Sequence, residues 1–392
     1  MLDDFLGTHT GQLIAFRRQL HAHPERSYEE HETTALISQR LEAAGLAPRN
    51  LSVGTGLLCD IPGRDGAGRL VALRADLDAL STTDEKAVAY RSRHPGVAHA
   101  CGHDVHTTIL LGCGLVLARL LTEAEHGPGR VRLVFQPAEE TVPGGALDVI
   151  ADGGLDGVDW IFGLHCDPKL DVGRVGVRAG AITSAADMVE VRLHGPGGHT
   201  ARPHLTADLV TVAARVASAL PERLRERDPT LNLVFGTIHA GDAPNVIPSL
   251  AVLKGSVRTP DRGAWAAAPA LVEEILDDLV PGLGARHDVV YSQGPPPVDN
   301  DVRATALLAD AARAALGDGA VVPTPQSAGG DDFSWYLERV PGSYGRLGVR
   351  DPAAAGAPLD LHTSTFDVDE RAVALGVRVL TRTALAALAR SS

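Results

Sequence analysis

The sequence predicts an α/β fold with a mainly parallel sheet, interrupted by a smaller inserted α+β domain of ferredoxin-like pattern. Three observations predict it. Apolar runs of strand length alternate with helical stretches up to about Ser184. Beyond that point Val189, Val191 and Leu193 alternate with polar residues, as a half-exposed strand requires. Gly294-Pro295-Pro296-Pro297 then reads as a stiff linker back to the first domain. Residues 1–183 and 298–392 are expected to form one domain, and 184–297 the insertion.

Taken in order, residues 9–46 read as helix, broken at His23-Pro24, restarted through Tyr28 to Ala44 and stopped at Gly45. Gly56–Ile61 and Leu70–Ala75 flank the turn-rich run Pro62–Gly68 and read as a hairpin or as adjacent strands. Asp104 is placed to cap a buried helix over Val105–Leu121. The strand Val131–Phe135, a short helix near Ala146–Ala151 and the strand Trp160–Leu164 follow. In the insertion, a helix over Leu209–Leu224, strands Leu231–His239 and Leu250–Arg258, a helix over Ala264–Leu279 and a strand Arg286–Tyr291 complete a strand-helix-strand-strand-helix-strand unit. A last helix follows Leu361-His362-Thr363.

With 392 residues and 44% hydrophobic content, the chain can build two or three cores without disulfide staples. A net charge of -13 with only scattered arginines argues against a nucleic-acid partner. The acidic start Met1–Gly7 does not read as a secretion signal, and no apolar run is read as reaching membrane-spanning length, so no membrane partner is expected. Cys59, Cys101, Cys113 and Cys166 show no paired spacing, which fits a reducing cytoplasm.

The densest chemistry lies in His99-Ala-Cys-Gly-His-Asp-Val-His106, where Cys101 and His103 flank a glycine that lets the backbone come close to one point. In parallel sheets, active residues gather at the carboxyl ends of strands. Here the strand ends deliver Asp76 and Asp78, then Glu139 and Glu140, then His165, while His362 precedes the last helix. Cys101, His103, Glu140, His165 and His362 are too many ligands for one tetrahedral zinc and suit two divalent ions sharing a bridging thiolate. Glu139 is then left to take a proton from water, a base that a hydrolase needs and a structural site does not. The isolated histidines 9, 31, 126 and 287 are read as surface or helix-end residues, and His21 and His23 as structural.

The segments Leu20–Glu25, Arg74–Leu80, His99–Asp104, Phe135–Glu140, Gly163–His165, Gly197–His199, Asn245–Pro248 and Phe366–Glu370 occur in the order seen in the M20 metallopeptidase family. Cys-Gly-His-Asp with Pro-Ala-Glu-Glu makes the chain resemble its amidohydrolase branch, which includes N-acyl-amino-acid amidohydrolases, hippurate hydrolases and auxin-conjugate hydrolases. The resemblance implies a metallopeptidase-like catalytic domain with a lid and dimerisation domain inserted. It implies two divalent ions per subunit on Cys101, His103, Glu140, His165 and His362, with zinc or manganese ahead of cobalt or nickel. It gives Glu139 the base role and sets Asp76 and Asp78 beside the ligands. His199 resembles the lid histidine that reaches the scissile carbonyl, in many members across a dimer interface; Asn245 and Arg258 resemble lid residues that hold the substrate carboxylate.

Three positions depart from the family pattern: Asp331 where Gly-Glu-Asp-Phe is common, Ser81 after Asp-Ala-Leu, and Ser364 where a proline is usual. The expected activity is metal-dependent hydrolysis of the amide of an N-acyl amino acid or a related small acyl conjugate, by a homodimer joined through the lid. A carboxypeptidase or dipeptidase of the same family is the nearer alternative, and a catalytically silent metal- or ligand-binding protein the more distant one.

Overall fold

The computed structural model describes residues 1–63, 68–121, 129–353 and 359–390; residues 64–67 of the expected turn and His126 lie outside the described residues. The chain runs through α1 (Leu2–Ala22), α2 (His31–Ala43), β1 (Arg49–Asn50), β2 (Leu57–Ile61), β3 (Arg69–Asp76), α3 (His103–Leu120), β4 (Gly129–Gln136), α4 (Ala146–Ala151), β5 (Trp160–Asp171), β6 (Val175–Val177) and β7 (Gly180–Ala181). It continues with β8 (Asp187–His194), β9 (Gly198–His199), α5 (Leu209–Arg227), β10 (Asn232–Ala240), β11 (Val246–Ile247), β12 (Leu250–Arg258), α6 (Arg262–Leu279) and β13 (Arg286–Ser292). It ends with β14 (Asp299–Asn300), α7 (Val302–Leu316), β15 (Val321–Pro323), α8 (Ser334–Leu337), β16 (Gly342–Arg350) and α9 (Arg371–Ala389). Two compact units result: Met1–Ile182 with Asp299–Pro325 and Asp332–Ser392, and Thr183–Val298 with Gln326–Asp331.

The first unit holds an eight-stranded sheet in the order β1-β2-β4-β3-β5-β16-β6-β15. Its centre, β4-β3-β5-β16, is parallel, and β2 joins antiparallel to β4. This corrects the expected hairpin: β4 enters between β2 and β3, with Leu133 opposite Cys59 on one side and Leu73 on the other. Apolar runs identify strands, whereas the neighbour here arrives more than fifty residues later in the chain. β5 is longer than expected, because β16 pairs along it as far as Asp171, so His165 lies inside the strand rather than after it.

α3 begins at His103, with Gly102 at the N-cap in the left-handed region at φ 89°. Asp104 does not cap it, contrary to expectation. Its carboxylate is fully buried in the first turn, 2.7 Å from Arg17 Nε and 2.7 Å from His21 Nδ1. A first-turn acid still suits the helix dipole. α3 and α9 pack closely because a Cβ at Gly112 would lie 2.6 Å from Val377 and one at Gly376 2.3 Å from Ile109. α9, at 19 residues, is by length and composition long and apolar enough to span a membrane, contrary to the sequence reading. Its apolar side is consumed by the core, with Val373, Val377 and Ala384 fully buried.

The second unit is an antiparallel sheet in the order β10-β12-β8-β13, with α5 and α6 supplying its core partners. Val191, Leu193, Leu253, Val216, Leu220 and Val272 have no measurable exposure. Both helices start on aspartate caps: Asp208 accepts from the amides of Val210 and Thr211, and Asp261 from that of Ala264.

Candidate metal centre

The chemistry-bearing side chains of the first unit meet at the carboxyl edge of its parallel strands. Asp76 is the last residue of β3, Glu139 and Glu140 follow β4 closely, and His165 sits on β5. Cys101 and His103 enter from the loop into α3. Only glycine fits between them: a Cβ at Gly102 would lie 2.9 Å from Cys166 Sγ, and its φ is left-handed. His362, itself at φ 64°, is tied to that loop by its amide, which donates to the Ala100 carbonyl at 2.8 Å.

Two triplets of donor atoms share one sulfur. Cys101, His103 and His165 present donors within 4.8 Å of one another, and so do Cys101, Glu140 and His362. Cys101 Sγ is 3.4 Å from His165 Nε2, and His362 Nε2 is 3.5 Å from Glu140 Oε1. His103 Nε2 stands 3.8 Å from Glu140 Oε1 and 3.9 Å from Glu139 Oε2. Those separations exceed a hydrogen bond. Both His103 Nε2 and Glu140 Oε1 are buried without a hydrogen-bond partner. Buried polar groups are normally satisfied, so this pair asks for another partner, and the mixed N, O and S set fits divalent ions.

The electrostatics agree. Burial, reinforced by Glu140, Glu139 and Asp76, holds the Cys101 thiol well above its ordinary value, so a nearby cation is what would make it a thiolate. Burial likewise raises the Glu140 carboxyl against the pull of His103 and His362. Burial, then Arg346, holds the His165 ring well below its ordinary value. Burial opposes charge on His103, yet Asp76 and Asp78 push its ring up to about 10. The site concentrates negative groups around one imidazole.

A layer of buried contacts fixes these donors. Asp78 Oδ1 is 3.3 Å from His103 Nδ1, while Asp78 Oδ2 accepts from the Ser27 hydroxyl and from the Glu140 amide at 2.7 and 2.9 Å. His165 Nδ1 is 2.7 Å from the Cys166 carbonyl, which puts the proton there and leaves Nε2 facing Cys101. Asp76 bonds His106 at 2.6 Å and Arg74 at 2.6 Å, and His106 Nε2 accepts from the Cys166 amide.

Several functional supports escaped the sequence reading. Arg74, buried, donates to Gln136 at 2.8 Å and to Asp332 at 2.9 Å, which joins three segments at the strand edge. Glu25 accepts from the amides of Glu32 and Thr33 at the start of α2. Glu30 accepts from the Ala138 amide at 2.8 Å, and burial together with the Asp78 charge pushes its carboxyl up to about 7. Glu25 lay in the family segment Leu20–Glu25, in which only His21 and His23 were given a reading, as structural, and Ser27 lies two residues beyond it. Ser81 accepts from Arg26, and Ser364 donates to Glu85 at 2.6 Å. Asp331 is buried in the second unit, while its neighbour Asp332 belongs to the Arg74 cluster.

In the second unit, His199 pairs with Val246 across β9 and β11, which sets it beside Asn245, whose carbonyl accepts from the Thr200 amide. His199 Nδ1 accepts from the Ala201 amide at 3.0 Å, so the neutral ring carries its proton on Nε2. Arg258 is the last residue of β12 and donates to the Ala328 carbonyl at 2.8 Å.

A mainly parallel α/β sheet that gathers a thiol, imidazoles and carboxylates at its strand ends defines a metallohydrolase class of protein. Within that class the chain belongs to peptidase family M20/M25/M40, whose model matches residues 72–386. The resemblance read from the motifs is borne out. The chain is 38% identical over 371 residues to the N-acetyl-L-cysteine deacetylase of Bacillus subtilis, covering 94% of this chain and 86% of that protein. It is 47% identical over 373 residues to a longer Rhodococcus jostii protein that carries the name glutamate–cysteine ligase 2-3, and spans 46% of that protein's length. Among solved structures, the Bacillus subtilis YXEP protein, described as a dinuclear metal binding peptidase from the M20 family, superposes with a TM-score of 0.85 at 32% identity, covering 97% of this chain and 99% of that one.

Proposed function

We infer that this protein is a metal-dependent amidohydrolase that cleaves the amide of an N-acyl amino acid, or of a related small acyl conjugate, to a carboxylic acid and a free amine. The observation that carries this reading is the pair of donor triplets sharing the Cys101 sulfur, with Glu139 beside them. Kinship with an N-acetyl-L-cysteine deacetylase supports the substrate class. Cys101, His103, Glu140, His165 and His362 would hold two divalent ions, zinc or manganese first and cobalt or nickel next. When bound, such ions polarise a carbonyl and acidify water.

Glu139 takes the proton of the attacking water and delivers it to the departing nitrogen. Asp78 holds His103 and the Glu140 amide in place, and Asp76 works through His106 and Arg74. His199 donates its Nε2 proton to the carbonyl oxygen as charge develops there. Asn245 and Arg258 receive the substrate carboxylate. Asn245 precedes β11 and Arg258 ends β12, and in the homodimer we propose, one copy's His199 would serve the other copy's site. The four cysteines, all free and buried, support a cytoplasmic setting.

Hydrolysis of N-acetyl and N-benzoyl amino acids, set against a panel of dipeptides, tests the reading. We expect turnover of acyl amino acids, and loss of about 100- to 10,000-fold in Glu139→Ala with bound metal retained. Turnover of dipeptides alone would favour a carboxypeptidase. Normal turnover in Glu139→Ala would sink the base assignment.

A further inference from the structure

We propose that Glu30 is a positioning residue that sets the aim of Glu139 by holding the backbone turn on which it stands; the proposal rests on Glu139 being the base. Glu30 has no measurable exposure and precedes the first turn of α2, where its own carbonyl accepts from the Thr34 amide and hydroxyl at 3.0 and 2.6 Å. Its Oε1 accepts from the Ala138 amide, 108 residues away, at 2.8 Å. A carboxylate is costly to desolvate, so one buried where it holds a distant backbone amide calls for a reason.

That reason lies in the turn. Ala138 sits at φ 54°, in the left-handed region that an alanine enters only at a cost, and it has no measurable exposure. Its amide is held by Glu30, and its carbonyl accepts from the Gly145 amide at 2.9 Å. The turn has no room to relax: a Cβ at Gly145 would lie 2.1 Å from the Pro137 carbonyl oxygen, and one at Gly56 2.5 Å from the Pro137 ring. On the other side of Glu139, the Glu140 amide donates to Asp78 at 2.9 Å.

Glu139 is thus bracketed by two backbone amides, each donated to a buried carboxylate. Two successive glutamates must serve different ends, one as a ligand and one as a base, and successive side chains of an extended strand would point to opposite faces. The left-handed residue before them turns the chain so that both reach the same side, each within 4 Å of His103 Nε2. Asp78 fixes Glu140, and Glu30 performs the matching task for Glu139.

The test compares Glu30→Gln, which keeps an acceptor, with Glu30→Met, which keeps the volume and removes it; Glu30→Ala serves if the methionine variant does not fold. In the metal-loaded full chain we expect Glu30→Gln to stay within about threefold of the parent. Glu30→Met should lose about 100-fold in kcat, with KM within about threefold and the metal content unchanged, as a misplacement near 1 Å predicts. The crystal structure of Glu30→Met should show Ala138 out of the left-handed region and Glu139 displaced. Three results would overturn the proposal: kcat kept in the methionine or alanine variant, equal loss in the glutamine variant, or an unmoved Ala138–Glu139 turn. Failure of the parent reading is distinguishable, because it registers as full turnover in Glu139→Ala while the Ala138 geometry still reports on Glu30.

Discussion

At the scale of single residues, the shared sulfur makes a stoichiometric prediction. Cys101 belongs to both donor triplets, whereas His165 and His362 belong to one each. Elemental analysis should therefore find the metal content of His165→Ala and of His362→Ala lowered by about one ion per chain, and that of Cys101→Ala lowered by about two. Equal losses in all three would contradict a bridging thiolate. Glu30 yields a pH prediction. Its ordinary value is 4.5 and burial lifts it to about 7 in the fold. Between those values the unfolded chain ionises while the folded chain keeps its proton, so folding stability falls as pH rises, by about 3 kcal/mol at most. Glu30→Gln has no such penalty. Its urea midpoint should exceed that of the parent at pH 8, and the gap should close at pH 5. These two residues also mark the limit of sequence reading. Cys101 was legible because its partners stand within three positions and at strand ends, whereas the meaning of Glu30 is a contact with Ala138 that no local pattern encodes.

At the scale of elements, periodicity located the strands and helices up to β13, but it left α7 and the central strand β16 unread and missed long-range pairing. The turn-rich run after β2 resembles a hairpin loop, yet β4 takes the place between β2 and β3. Asp104 has the residue type and position of a helix cap, yet Arg17 and His21 claim its carboxylate. Both errors arise where a distant segment competes with a local rule and offers a buried partner in its place. The βαββαβ succession of the second unit was legible, because each of its elements carries its own period, whereas its sheet order β10-β12-β8-β13 again rests on pairing between distant segments. The turn between β4 and α4 gives the element-scale prediction. Gly145 has an ordinary φ of -72°, so alanine meets no backbone strain there, only the Pro137 carbonyl 2.1 Å from its new methyl. A backbone atom cannot swing aside as a side chain does. Gly145→Ala should destabilise by about 1–3 kcal/mol and lower kcat more than KM, because the turn that shifts carries Glu139. A variant with parental melting temperature and turnover would show that the turn is not held as tightly as its contacts imply.

At the scale of the whole molecule, the placement of His199 turns the assembly into a measurable property. His199 stands on β9 opposite Val246, and Arg258 ends β12. If His199 acts across the homodimer we propose, each chain lends His199 to the site that holds its partner's Glu139. Glu139→Ala and His199→Ala homodimers are then both inactive for different reasons. A mixed dimer contains one site with neither defect, since the intact Glu139 of one chain meets the intact His199 of the other. Random reassortment of equal amounts gives half mixed dimers, each with one competent site of two, so activity should return to about one quarter of the parental value. Recovery should follow the rate of subunit exchange and be absent when the chains are mixed under conditions that prevent it. Persistent inactivity after verified exchange would place His199 with the Glu139 of its own chain.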